Sequence, residues 1–159
     1  MNIVVREAAL EEAQLIAELT RAAWADKVAP TSSGHVETVE RVLDDLRSGG
    51  GFLILIDHLA VGSVRWAPID GDTDIWEIMR MGILPSFRGQ NLSQHLLEAV
   101  IHHALATSVT ELRLAVRAEQ NKVLDFYAAF GFELAPEIEY SHANPNEPAP
   151  NVMRKMLQQ

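Results

Sequence analysis

The run Arg88-Gly89-Gln90-Asn91-Leu92-Ser93 gathers residues suited to holding an anion. It follows an apolar stretch closed by Ile83-Leu84-Pro85 and leads into helical spacing. A strand-to-helix turn there aims several backbone N–H groups and the positive end of a helix dipole at one point. Arg88 adds a cation at the mouth and Gly89 lets the backbone approach a ligand, a combination that fits pyrophosphate. Taken alone, the run reads equally well as an ordinary capped turn. Other site chemistry is poorly served. His95, His102 and His103 fall on one predicted helix without the i, i+4 spacing of a zinc pair, so no metal is assigned. Ser93 and His95, two apart on a helix, point away from each other, which denies the serine a base.

The elements that must position this run follow from hydrophobic period and breakers. Asn2 to Arg6 reads as a strand, and Leu10 to Trp24 as a helix with Ala13, Ile16, Ala17, Thr20 and Ala23 on one face. Pro30 and Thr31 to Gly34 break the chain. Val36, Val39, Leu43 and Leu46 then line a second helix, which Gly49-Gly50-Gly51 stops. Phe52 to Ile56 and Val61 to Trp66 form a hairpin about Asp57-His58, and Asp70-Gly71-Asp72 turns the chain into a third strand from Ile75 to Leu84. A helix marked by Leu92, Leu96, Val100, His103 and Ala104 follows, then a strand from Glu111 to Val116. The spacing predicts a further helix from Asn121 to Phe130 capped by Gly131, and two last strands, Phe132 to Tyr140 and Asn151 to Leu157. The loop between those strands holds Pro145, Pro148 and Pro150. The order β α α β β β α β α β β implies an α/β mixed sheet of about seven strands with helices on both faces and a site near its middle.

Composition narrows the class further. The 159 residues suit one domain, 1–159, and 48% apolar with 22% charged residues is globular balance. A net charge of -9 argues against nucleic acid or an anionic membrane as partner. The absence of cysteine removes disulfides and thiol nucleophiles. With no signal-like start and no long apolar run, the expectation is a soluble cytoplasmic protein.

Two segments carry a resemblance. Glu77-Ile78-Met79-Arg80-Met81-Gly82-Ile83-Leu84-Pro85-Ser86-Phe87-Arg88-Gly89, and Glu119-Gln120-Asn121-Lys122-Val123-Leu124-Asp125-Phe126-Tyr127 running on to Gly131-Phe132, resemble the GNAT superfamily of acyl-CoA-dependent N-acyltransferases. In the family's phosphate loop two small residues stand where this chain has Asn91 and Ser93, and Gln120 stands where the family usually has Asn.

The resemblance implies acetyl-CoA as co-substrate, lying where the strands Ile75 to Leu84 and Glu111 to Val116 splay apart. Backbone groups at Met81, Gly82 and Ile83, the loop residues Arg88, Gly89, Gln90, Asn91, Leu92 and Ser93, and Gln120 with Asn121 would contact it. Gly82 would ease a bulge there. Tyr127 would donate a proton to the departing thiolate, as a phenol of pKa about 10 can at neutral pH. Glu77 is the candidate base for a primary amine of a small molecule or peptide attacking directly in a ternary complex, or else an exposed strand carboxylate. Arg65 and Arg80 are placed to pair with an acceptor carboxylate, or to lie on a solvated strand face. Trp24, His35, Tyr140 and His142 fall in the family's variable acceptor-binding regions. The acidic total leans towards a cationic amine. A homodimer accords with family habit. The departures at Asn91, Ser93 and Gln120 motivate one alternative, a non-catalytic acyl-CoA-binding regulatory module.

Overall fold

Strands with consecutive apolar residues need cover on both faces, and here helices provide it. The computed structural model describes residues 1–25, 37–120, 122–140, 146 and 148–157, with Glu119 described by its backbone alone. Pro30, residues 31–34, His35, Val36, Asn121, His142 and Pro145 lie outside the described residues. The elements run β1 (Ile3–Glu7), α1 (Ala13–Trp24), α2 (Val39–Ser48), β2 (Gly50–Ile56), β3 (Leu59–Ile69), β4 (Asp72–Ile83), α3 (Leu92–Ala106), β5 (Glu111–Val116), α4 (Val123–Ala128), β6 (Glu133–Leu134) and β7 (Asn151–Met156). One seven-stranded sheet results, ordered β1-β2-β3-β4-β5-β7-β6. Its neighbours pair antiparallel except β4 and β5, which run parallel. This is the expected mixed-sheet α/β fold.

The faces are assigned by alternation along the strands. Leu53 packs under Ile16 and Ala17 of α1 and Val42 and Leu46 of α2. Its neighbour Ile54 joins Trp66, Trp76 and Ile78 beneath Leu96, Leu97 and Val100 of α3, with Tyr127 of α4 in the same core. Asp57 and His58 take φ of 47° and 74°, the left-handed pair that a two-residue hairpin turn requires.

Three expectations need correction. Residues Leu10–Glu12 form a 3-10 turn, and α1 begins at Ala13. α4 is six residues, shorter than Asn121 to Phe130. The long strand expected over Phe132 to Tyr140 shrinks to Glu133–Leu134, because Pro136 offers no N–H and the chain turns with the Ile138 N–H donating to Ala135 O at 3.0 Å.

The glycine run does more than stop α2. The Gly49 N–H caps the helix by donating to Asp45 O at 2.9 Å, and β2 already starts at Gly50. A Cβ on Gly49 would lie 1.9 Å from the backbone oxygen of Trp66, and one on Gly50 would lie 2.5 Å from the Trp66 ring. That ring stacks on Trp76 at 5.4 Å, so these glycines let α2 close onto the centre of the sheet. Gly49→Ala is expected to cost about 1–3 kcal/mol, because backbone must move to admit the methyl group. Urea unfolding of the variant against the parent measures it.

Candidate active site

The site is built where β4 and β5 part. Their ladder holds only Ile75↔Glu111, Trp76↔Leu112 and Glu77↔Arg113, and from Ile78 onward the β5-facing edge of β4 has no strand beside it. A bulge accompanies the parting. On β3 two steps separate Ser63 from Arg65, while their partners Gly82 and Met79 are three apart, so β4 carries one extra residue. The expectation that Gly82 eases this bulge is not met: Arg80 adopts the left-handed conformation, φ 57°. Gly82 serves instead for close approach, since a Cβ there would stand 3.0 Å from both Ala23 Cβ and Trp24 Nε1 at the end of α1.

The gap opens into a cleft of about 380 Å³. Met79, Met81 and Gly82 line it from β4, Leu114 and Val116 from β5, Phe126 and Tyr127 from α4, Ser93 from α3 and Trp24 from α1. Gln120 also lines it. Ile83 does not, being 5% exposed and paired with Gly62.

At one end of the cleft stands the loop into α3. Gly89 has φ 83° and Asn91, the residue preceding α3, has φ 61°. Nothing lies within 4 Å of a Cβ built on Gly89, so this glycine supplies its backbone angle rather than room. The Asn91 side chain makes no capping bond, and Leu92 is buried, which leaves the first N–H groups of α3 without a side-chain acceptor from the cap. That is the arrangement of an anion cradle. Arg88 is placed differently from the cation expected at the mouth. Its Nε donates to Ile83 O at 3.3 Å and its Nη2 to Ala23 O, so it braces the loop against β4 and the end of α1.

Tyr127 is 9% exposed, with its ring edge-on to Phe126 at 5.2 Å and Phe132 at 5.8 Å. Burial pushes the phenol well above its ordinary range, which keeps the proton on the oxygen.

Glu77 is buried rather than exposed on the strand, and it does not line the large cleft. It faces a cavity of about 60 Å³ shared with Arg113, Ile138 and Tyr140. The Tyr140 phenol is pushed up to about 12, chiefly by burial and then by the Glu77 carboxylate, while Arg80 and Arg117 act the other way.

Between the sheet and helices α1 and α2 lies a buried ionic group that sequence reading did not anticipate. Arg65, fully buried, donates from Nη2 to Glu37 Oε1, from Nη1 to Asp45 Oδ2 at 2.9 Å and from Nη2 to Thr20 Oγ1 at 3.3 Å. The same Glu37 oxygen lies 3.2 Å from Arg80 Nε, and Arg21 Nη1 donates to Glu37 O at 2.6 Å. Burial raises the Asp45 carboxyl against the pull of Arg65. Glu37 precedes α2 with no spacing relation to Arg65, so only the folded chain could join them.

A sequence profile of the acetyltransferase (GNAT) family matches residues 16–132. The chain belongs to the GNAT acetyltransferase family. Solved structures share the fold. The PaiA N-acetyltransferase of Thermoplasma acidophilum, determined in complex with coenzyme A, has TM-score 0.77 and 16% identity, covering 99% of this chain and 100% of that one. A GNAT-family acetyltransferase of Staphylococcus aureus Mu50 has TM-score 0.78 at 16% identity with the same coverage. The ribosomal-protein-S18-alanine N-acetyltransferase of Escherichia coli has TM-score 0.73 and 14% identity, covering 99% and 96%.

In this GNAT chain the cleft joins Met81, Gly82, Ser93, Gln120 and Tyr127 of the expected site residues, while Gly89, Gln90, Asn91 and Leu92 form the adjoining turn and helix start. Trp24 lines the cleft and Tyr140 the smaller cavity. Arg117 and Lys122 are further lining residues. Lys122 stands inside a segment whose motif drew notice for other positions, and Arg117 directly follows β5, a signal that strand position alone offered. His95 and His102 are exposed, whereas His103 packs against Trp66 at 5.2 Å and Trp76 at 5.6 Å.

Both tyrosines of this GNAT-family chain favour the neutral phenol when folded. The associated stability is therefore whole below the ordinary value of 10.0 and is lost as pH rises from there through the folded values. An ultraviolet titration should show no tyrosinate in the native protein at pH about 10, and ordinary titration of both residues once guanidinium unfolds it.

Proposed function

We propose that the chain transfers an acetyl group from acetyl-CoA to a primary amine of a small molecule or peptide, by direct attack in a ternary complex. The observation that carries this reading is the cleft opened by the parting of β4 and β5, with an anion cradle at one end and the Tyr127 phenol in its wall. The residues present fit the co-substrate. The turn at Gly89 and Asn91 leaves N–H groups for its pyrophosphate, and Met, Leu, Val and Phe walls beside an unpaired strand edge suit an arm that alternates methylenes with amides. The neighbour solved with coenzyme A supports the same assignment. When bound, acetyl-CoA supplies an activated acyl group and a thiolate leaving group.

The chain's own groups then have distinct parts. Backbone N–H groups of β4 around Met81 and Gly82 hydrogen-bond the arm and stabilise negative charge on an acyl oxygen. Tyr127 holds its proton through the working pH range and delivers it from Oη to the departing sulfur. Glu77, set back in the cavity it shares with Tyr140, takes the proton of the attacking amine through water rather than by touching it. Arg88 holds the cradle to α1 and β4, and its effect on affinity acts through loop shape. The protein works as one domain without a metal, in the cytoplasm.

Release of free thiol from acetyl-CoA across a panel of primary amines tests the assignment. Acceptor-dependent release is expected; coenzyme A binding with no release on any amine would identify a non-catalytic binding module instead. Tyr127→Phe should lower kcat by about a hundredfold or more while the coenzyme A Kd, measured by calorimetry, stays unchanged. Ser93→Trp should abolish that binding by filling the cleft at the cradle. Normal turnover in Tyr127→Phe would remove the proton-donor role.

A further inference from the structure

The charge of the cleft is opposite to the charge of the chain. The protein carries a net charge of -9, yet among the described residues the charged ones lining the cleft are Arg80, Arg117 and Lys122, and no Asp or Glu lines it. Lys122 sits at the exposed start of α4 and Arg117 at the end of β5. Arg80 is the one built into the sheet, and its construction is unusual.

Arg80 is a non-glycine residue at φ 57°, in a bulge that a glycine or asparagine would fill with less strain. Its orientation is then held from two sides. The buried Glu37 carboxylate takes its Nε at 3.2 Å, and its guanidinium carbon stands 5.9 Å from the Trp24 ring centre. Glu37 is itself held by Arg65, fully buried against Asp45 and Thr20. Only Nε of Arg80 is engaged by a carboxylate among the described residues. The Nη atoms of a guanidinium held in this way form an edge suited to a planar anion. Arg65 and Arg80 thus have different duties: the first is consumed in the core, and the second is presented to the cleft.

Arg80 also stands on the face covered by α1 and α2, whereas the anion cradle belongs to the loop into α3 on the other face. A purely cationic amine would enter the cleft against Arg80, Arg117 and Lys122. An amine that also carries a carboxylate would meet a fixed partner.

We propose that Arg80 determines acceptor specificity by binding a carboxylate of the acceptor, so that the substrate is an amine bearing a carboxylate, such as an amino acid or a peptide with a nearby acidic group. This rests on the acetyltransferase reading and deepens it.

The test uses matched acceptors, amino acids and acidic dipeptides against the same compounds with the carboxylates converted to carboxamides. Thiol release is read with each. The parent protein should favour the carboxylate form in kcat/KM by about tenfold to a hundredfold, the range for one charge-assisted contact. Arg80→Gln should bring the two forms towards equality, with Arg80→Lys between. Because the parent alone carries the first comparison, a variant that folds poorly does not empty the test. Equal use of both forms, a preference for carboxamides or for cationic diamines, or a carboxylate preference that survives in Arg80→Gln overturns the proposal and leaves the acetyltransferase reading standing. Thiol release with no amine at all would remove that underlying reading.

Discussion

The cleft exists because β4 and β5 stop pairing after Glu77 and Arg113. Two parallel strands that stay together bury their edges in each other. Two that part leave a row of backbone N–H and C=O groups that must find other partners, which is costly unless a ligand or water takes the place of the missing strand. The extra residue at Arg80 turns β4 away while β3 holds its other edge through Ile83↔Gly62, and β7 holds β5 through Val116↔Asn151. The gap is thus clamped on its outer sides and open between.

The bulge in turn needs a foundation. A left-handed arginine in mid-strand costs free energy and persists only where its surroundings hold it. Those surroundings are the Glu37, Arg65 and Asp45 group, in which each side chain is ion-paired and two are nearly sealed from solvent, with Glu37 Oε2 and Arg65 Nε left without a hydrogen-bond partner among the described residues. Such a group contributes little net stability compared with packed apolar residues, while removing one partner typically costs about 3–5 kcal/mol. Its worth here is positional: it joins α2, the chain before α2, β3 and β4 at one point, beside the residue that shapes the cleft. The Gly49 cap on Asp45 O and the close approach of Gly82 to α1 serve the same closure.

Much of the fold could be read from residue order. Asp57-His58, Gly71 and Gly131 marked turns that all have positive φ, and Glu111–Val116 is a strand with the expected bounds. Asn91 could be recognised as a residue able to take the left-handed backbone it adopts. Reading failed where an isolated signal has two meanings. Glycine at 49 to 51 looked like a helix stop and is also a contact surface for Trp66; Gly82 looked like the bulge and is the approach point for Trp24. Arg88 looked like a ligand cation and is a brace.

The family resemblance picked out Tyr127 as the phenol to watch; by itself the sequence determined the order of strands and helices and the segment of the turn into α3. Each depends on contacts within a few residues or on a periodic face, and such information is local. Only the tertiary structure decided which groups meet across the sheet. It sent Arg65 to the core and Arg80 to the cleft, enclosed Glu77 beside Tyr140, and brought Glu37 to both arginines across separations of 28 and 43 residues. Burial and partner choice, which set what a charge can do, depend on strand register and helix docking, and no short stretch of this chain encodes them.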